Sequence, residues 1–338
     1  MPQSHQNSST PVLVPVLVYD IGGSHISAAV CLCTPDASAD HTAYTLHGIS
    51  RAPLPAEGNG HFSSASFVRL LHTLGQTAAN AANIDFQTIA GASFAFPGPF
   101  DYVNGISHMQ HKLQGLYQVD LKSALAIRFH WKPSQLDFLK DADAFLLGEL
   151  AAGAATGADR AIGITLGTGI GCAFGLHGAI TTSAPGVPRD GEIWNLPYNG
   201  ATVEDFVSTR FLRHHYQALT GLEAEVATIA DTAKDPAACE EVNQYEAHCR
   251  ARQAFLDFGH HLGLALNQIA AEFNPEVIVL GGGISRASSL FLPAAGDALT
   301  AISPRIAIST LMDQAPLVGA AYHFISATSK SGQTPSRA

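Results

Sequence analysis

Twice along this chain an apolar, β-branched run breaks at a short glycine turn and resumes as a second apolar run. The first copy is Val12 to Tyr19, carried through Asp20, Gly22 and Gly23 into Ile26 to Leu32; the second is RAIGITLGTGIGCAFGL, with Gly167, Thr168 and Gly169 in its turn. Such runs read as strands, and a tight glycine turn between them closes an antiparallel hairpin. Two copies, with no tandem period of solenoid length, point to a duplicated lobe. The length of 338 residues suits two lobes, each with its own core.

The rest of the pattern alternates helix and strand, as an α/β chain does. Ser64 to Ala82 is helical in composition, with Phe67, Leu70, Leu71 and Leu74 as its apolar stripe, whereas residues 34–61 show no clear period. Ile89 to Phe96 reads as a strand stopped by Pro97-Gly98-Pro99. A short extended segment over 131–139 leads to an alanine-rich helix from Ala142 to Ala155, which sets Asp141 where strand passes to helix. Phe255, Phe258, Leu262, Leu266, Ile269 and Phe273 recur at helical spacing and predict a long buried face. Glu276 to Leu280 is an apolar strand entering Gly281, Gly282 and Gly283. A helix from about Ala287, a strand near Arg305 to Ile308 and a helix from about Pro316 follow, and the tail 326–338 has a disordered composition.

Composition narrows the partners. With 28 acidic against 18 basic residues the formal charge is -10, so neither nucleic acid nor an anionic membrane has an electrostatic claim on the chain. The apolar runs are too short to cross a bilayer, and the polar opening MPQSHQNSSTP reads as a frayed terminus rather than a secretion signal. Cys31, Cys33, Cys172, Cys239 and Cys249 are odd in number and contain no CxxC pair. A reducing, cytoplasmic compartment is the expectation.

Three glycine bends are candidate phosphate cradles, because a residue without Cβ lets backbone amides reach an anion. In the first, Gly22 and Gly23 would meet phosphate oxygens while Asp20 positions hydrated magnesium. The second is Gly167-Thr168-Gly169, with the Thr168 hydroxyl as an extra donor. In the third, Gly282 and Gly283 would pass beneath the flat faces of a nucleotide. Neither the Walker pattern nor a Rossmann GxGxxG is present. Asp141 either caps the helix that follows or takes the proton of an attacking hydroxyl; Asp143 reads as a cap. Glu192, Asn195 and Glu204 lie in a glycine-rich, aperiodic stretch that suits sugar hydroxyls or solvated turns. Trp194 is a core plug or a stacking face for a sugar ring, with the core favoured. His108 and His111 are candidates for the same pocket, while the sixteen histidines as a set form no metal-ligand pattern.

The order of DIGGSH, PGPFD, KDADAFLLGE, LGTGIG, GEIWN and VIVLGGGIS resembles that of the ROK family of bacterial sugar kinases and regulators, over residues 14 to 325. The resemblance implies two ribonuclease H-like lobes of the actin-like ATPase kind around a central cleft. The expected boundaries are 12–139, completed by a C-terminal helix at 315–326, and 140–314. It further implies ATP-dependent phosphorylation of a hexose or hexose derivative. Asp141 matches the catalytic base, and Glu192 and Glu204 match sugar ligands. Asp20 stands near magnesium, and Gly22, Gly23, Ser24, Gly167, Thr168, Gly169, Gly282 and Gly283 line the ATP site.

Departures from the family pattern fall on the substrate side. Lys140 replaces an asparagine that touches the sugar, Asn195 stands where a sugar-binding histidine is usual, and ISHMQH, with His108, replaces an asparagine-bearing sugar loop. No cysteine lies between Asn195 and Glu204, so no structural zinc is expected. With 19 residues before Asp20, the winged helix of the family's regulators, and with it a regulator's role, is not expected. The resemblance also implies a homodimer, and leaves a non-catalytic sugar or nucleotide sensor as the alternative to the kinase.

Overall fold

Residues apolar on both sides of the pleat can rest only in the middle of a covered sheet, and Val14–Ile21 (β1), whose residues 16–19 are all but inaccessible, takes that place. The computed structural model describes residues 13–35, 42–55, 62–110, 113–234 and 242–330; His111, Cys239 and the terminal stretches 1–12 and 331–338 lie outside them. The chain divides into two compact units, Met1–Ala144 with Pro316–Ala338, and Phe145–Ala315.

In the first unit β1 is followed by His25–Pro35 (β2), Thr42–Pro53 (β3), Ser64–Ala81 (α1), Ala92–Phe96 (β4), Phe100–Asp101 (β5), Ile106–Ser107 (β6), Leu121–Phe129 (α2) and Leu136–Lys140 (β7). The sheet order is β3-β2-β1-β4-β7, with β1, β2 and β3 antiparallel in sequence and β4 and β7 parallel to β1. β3 corrects the expectation of aperiodic chain over 34–61. It is an edge strand with one wet face, and its register with β2 slips at Ala28/Val30, so no alternation survives in the sequence. Tyr19 fixes α1 on the sheet: its hydroxyl donates to Leu71 O at 2.7 Å, and a side chain at Gly75 would meet that hydroxyl at 2.2 Å.

Asp141–Ala152 (α3) opens the second half. It is followed by Arg160–Leu166 (β8), Ile170–Leu176 (β9), Ala179–Ile180 (β10), Pro197–Tyr198 (β11), Ala201–Thr202 (β12), Val203–Phe206 (α4), Thr209–Thr220 (α5), Val226–Lys234 (α6), Val242–Phe273 (α7), Val277–Gly281 (β13), Ser288–Ala298 (α8), Arg305–Ile308 (β14) and Ala315–Lys330 (α9). The second sheet runs β10-β9-β8-β13-β14 with the same parallel and antiparallel pairings as the first. Each unit is therefore ribonuclease H-like, the repeat that defines the actin-like ATPase fold. All six apolar residues predicted for the long helix are buried in α7. The tail expected to be disordered is helical up to Lys330. α9 packs in the first unit, where Phe324 fills the space beside Gly91 and His323 pairs with Asp137 at 3.1 Å. Among the described residues no helix is long and apolar enough to cross a membrane.

Candidate active site

Parallel strands in one sheet release their side chains to a binding site at their carboxyl ends. In the first unit the register sets Asp20 beside Ala95 and Phe96 beside Lys140. Asp20, the Pro97-Gly98-Pro99 corner and Lys140-Asp141 therefore leave the sheet at one end. Asp141 is partly exposed at the start of α3, where its carboxylate accepts from Ala142 N at 2.8 Å and, with Asp143, complements the positive end of the helix. Lys140 is half-buried next to it. In the glycine turn, Gly22 N donates to His25 O at 2.9 Å, so that amide closes the turn; Ser24 Oγ lies 2.9 Å from His25 Nδ1. Among the described residues, nothing but its chain neighbours lies within 4 Å of Gly23 on the side where a Cβ would project.

His108 belongs to the same end of the sheet. Its amide donates to Pro99 O at 3.0 Å, and its exposed ring meets Gln118 Nε2 at 3.1 Å. Between them, Asp101 accepts from Asn104 Nδ2 at 2.8 Å and from the amides of Val103 and Asn104. The Asn104 side chain, first among these donors, holds the Asp101 carboxyl below its ordinary range. Gly105, at φ +72°, is required there because a Cβ would lie 2.6 Å from Lys122 Cβ.

The second unit repeats this design with different residues. β8 ends in Gly167-Thr168-Gly169, and β13, aligned with β8 through Gly281 and Thr165, ends in Gly282-Gly283. Gly282 adopts φ +84°, and a side chain on it would strike Leu166 O at 2.4 Å, so the two bends touch. Gly167 and Gly283, like Gly23, have nothing but chain neighbours within 4 Å of where a Cβ would sit, among the described residues. Backbone open in this way fits a phosphate chain, and the half-buried Asp20 carboxylate fits a hydrated cation. Among the described residues no group of three or more His, Cys, Asp or Glu is arranged to hold a metal.

Glu204 lies directly over the second glycine turn. Its Oε2 accepts from Ile170 N at 3.2 Å and occupies the space a Cβ on Gly169 would need. Its own amide donates to Trp194 O at 3.1 Å, and Trp194 Nε1 donates to Glu192 Oε2 at 2.7 Å. Glu192 and Glu204 are thus linked through Trp194, and Asn195 follows Trp194 in the same segment, exposed. Trp194 is 44% exposed, which corrects its expected place in the core. Ile193, on the opposite side of the chain, is the plug.

Sequence reasoning missed three features of this unit. A cavity of about 270 Å³ opens beside Thr168, lined by Arg210, Arg213, His214 and Gln217 of α5 and by Glu223. The signal available was an Arg-x-x-Arg-His run straight after TVEDF. Glu149 is wholly buried, its carboxylate joined to Ala154 N, Ser309 Oγ and Leu311 N. Histidines scattered in the sequence also meet aromatic rings: His215, bonded to Asp257 at 2.7 Å, stacks on Phe211, and His261 bonds Tyr198 at 2.8 Å.

Burial, and after it the neighbouring His260, holds His261 below its ordinary value of 6.5. His72 is lowered as well, by burial and then by Arg128 and His130. The unfolded chain then binds protons more readily than the folded one, so this stability is complete above pH of about 6.5 and is lost as pH falls through the window below it. The urea midpoint is expected to drop between about pH 7.5 and pH 5.5, with His261→Asn flattening part of the slope. Equal slopes for the two proteins would contradict the assignment.

The ROK family model matches residues 65–326. A glucokinase of Thermotoga maritima is 30% identical over 249 residues, which cover 67% of this chain and 76% of that protein. Among solved structures, a ROK family glucokinase from Streptomyces griseus in complex with glucose and AMPPNP superposes with a TM-score of 0.65 at 20% identity, covering 91% of this chain and 98% of that one. A ROK family transcriptional regulator, homologous to the MLC protein of E. coli, gives 0.70 at 18% identity over 92% of this chain and 78% of that one. The structural likenesses carry the fold, and the extent of the sequence match carries the kinship: this chain belongs to the ROK family.

Proposed function

We propose that the protein transfers the terminal phosphoryl group of ATP to a hydroxyl of a hexose or hexose derivative. The observation that carries this reading is the position of Asp141, a partly exposed carboxylate at the carboxyl end of β7, level with Asp20 and the Pro97-Gly98-Pro99 corner. Asp141 accepts the proton of the sugar hydroxyl as its oxygen bonds to the terminal phosphorus. The bond from that phosphorus to the bridging oxygen breaks, and ADP leaves with the electron pair. An ordinary carboxylate is adequate, since a loose transition state needs little prior deprotonation.

The remaining residues bind and orient. Gly22, Gly23 and Ser24 in the first unit, and Gly167, Thr168, Gly169, Gly282 and Gly283 in the second, are assigned to the nucleotide. Glu192, Asn195, Glu204, Lys140 and His108 are assigned to the sugar, whose hydroxyls need both donors and acceptors. Asp20 would hold magnesium through water, and the ion when bound offsets phosphate charge. A cytoplasmic homodimer belongs to the same reading, with gel filtration as the check on assembly.

The likeness to a transcriptional regulator favours one other reading, a sensor that binds sugar without turnover. A coupled ADP-release assay across hexoses, N-acetylhexosamines and ketohexoses separates the two. Sugar-dependent release is the expected result. Tight sugar binding with no release above the ATP-only rate would replace the kinase with the sensor.

A further inference from the structure

The segment that carries Glu192, Asn195 and Glu204 stands largely in solvent: Trp194, Asn195, Pro197, Asn199, Gly200 and Ala201 are all exposed. It is a hairpin closed by Val203 N to Leu196 O at 3.0 Å, with Tyr198 and Ala201 paired across a tight turn. Asn199 and Gly200 in that turn have φ of 48° and 80°, as the favoured two-residue hairpin turn requires. A stiff hairpin of this kind transmits the position of one fixed point to its ends. The base of the hairpin is buried at Ile193 and Val203, and Tyr198 supplies the fixed point beyond it. Its hydroxyl meets His261 Nδ1 of α7 at 2.8 Å, and the rings of Tyr198 and Phe206 lie 5.7 and 4.8 Å from the His261 ring. Phe211 of α5 closes the cluster at 5.3 Å.

We propose that Tyr198 and His261 are positioning residues: they clasp the hairpin to α7 and thereby hold Glu204 over the Gly167-Thr168-Gly169 turn and Glu192 and Asn195 beside it. The assignment of those three residues to the sugar rests on the kinase reading above; the clasp itself does not. Its consequence under that reading is selective. The sugar contacts loosen when the clasp is cut, whereas the nucleotide contacts, assigned to the glycine bends at strand ends with the Ser24 and Thr168 hydroxyls, stay in place.

The test compares the unaltered protein with Tyr198→Phe, which removes one hydroxyl and keeps the ring, with His261→Leu, and with His261→Asn, whose amide stands near the place of Nδ1. Loss of one hydrogen bond predicts a rise in sugar KM of about 3- to 10-fold for Tyr198→Phe, with the KM for ATP unchanged. His261→Leu should do more, and His261→Asn should recover most of the loss. Hydrogen exchange at residues 192–204 should quicken in Tyr198→Phe and His261→Leu while α7 and the second sheet exchange as before. Unaltered exchange there, or a KM for ATP that rises as much as that for sugar, overturns the clasp. A wild-type protein that releases no ADP on any sugar defeats the kinase reading instead, and exchange alone then decides the clasp.

Discussion

Asp141→Asn is expected to lower turnover by about 10²- to 10⁴-fold while ATP binding changes little. The amide keeps the size of the carboxylate and can still accept from Ala142 N at the start of α3, so the fold has no reason to shift. What it loses is the capacity to take a proton. Because a general base acts on the chemical step, the loss should appear in kcat and in kcat/KM alike, with the nucleotide dissociation constant near that of the wild type. The check is steady-state kinetics on the best sugar of the panel, paired with calorimetric titration of ATP. Turnover close to wild type would remove Asp141 from the role and return it to helix capping.

Glu149→Ala should destabilise the protein by about 2–4 kcal/mol, a large share of a typical folding free energy. The wholly buried carboxylate accepts from Ala154 N at 2.7 Å and Leu311 N at 3.4 Å and is bonded to the Ser309 hydroxyl, so it joins the end of α3 to the exit of β14. Truncation leaves those buried donors without their acceptor. Glu149→Gln should lose less, since one acceptor oxygen remains. Urea denaturation measures both variants, and an alanine protein within about 0.5 kcal/mol of wild type would contradict the network.

The sequence declared those parts of the fold whose cause is local. β1 and β13 are buried on both faces and so read as unbroken apolar runs; α7 buries one face and so shows helical spacing. The glycine bends were legible because each interrupts an apolar run, and the third holds Gly282 at φ +84°, a conformation other residues resist. β3 was illegible, being an edge strand whose shape answers to α1: Gly48 within it lies where a Cβ would meet Ala78 O at 2.0 Å. For the candidate site the same division holds. Lys140 and Asp141 were visible because a strand passes to a helix between them, and both lie at the end of the sheet that also carries Asp20. The seat of Glu204 on Ile170 N, the arginines beside Thr168 and the bonds of Glu149 to Ser309 and Leu311 join chain segments 34 to 162 residues apart. No local pattern records such distances. Trp194 misled because size suggested burial, whereas the small Ile193 fills the core and the indole is held outside by Glu192.

Where α9 lies has a bearing on how the molecule is made. Leu317, Val318, Ala320, Ala321 and Phe324 are buried in the first unit, yet they leave the ribosome after the whole of the second. At about 5–20 residues per second, the nascent first sheet waits on the order of ten to thirty seconds for the helix that covers it. During that interval the places that Phe324 takes beside Gly91 and His323 takes at Asp137 stay open, so nonsense or frameshift lesions ahead of α9 should yield aggregates rather than a soluble half.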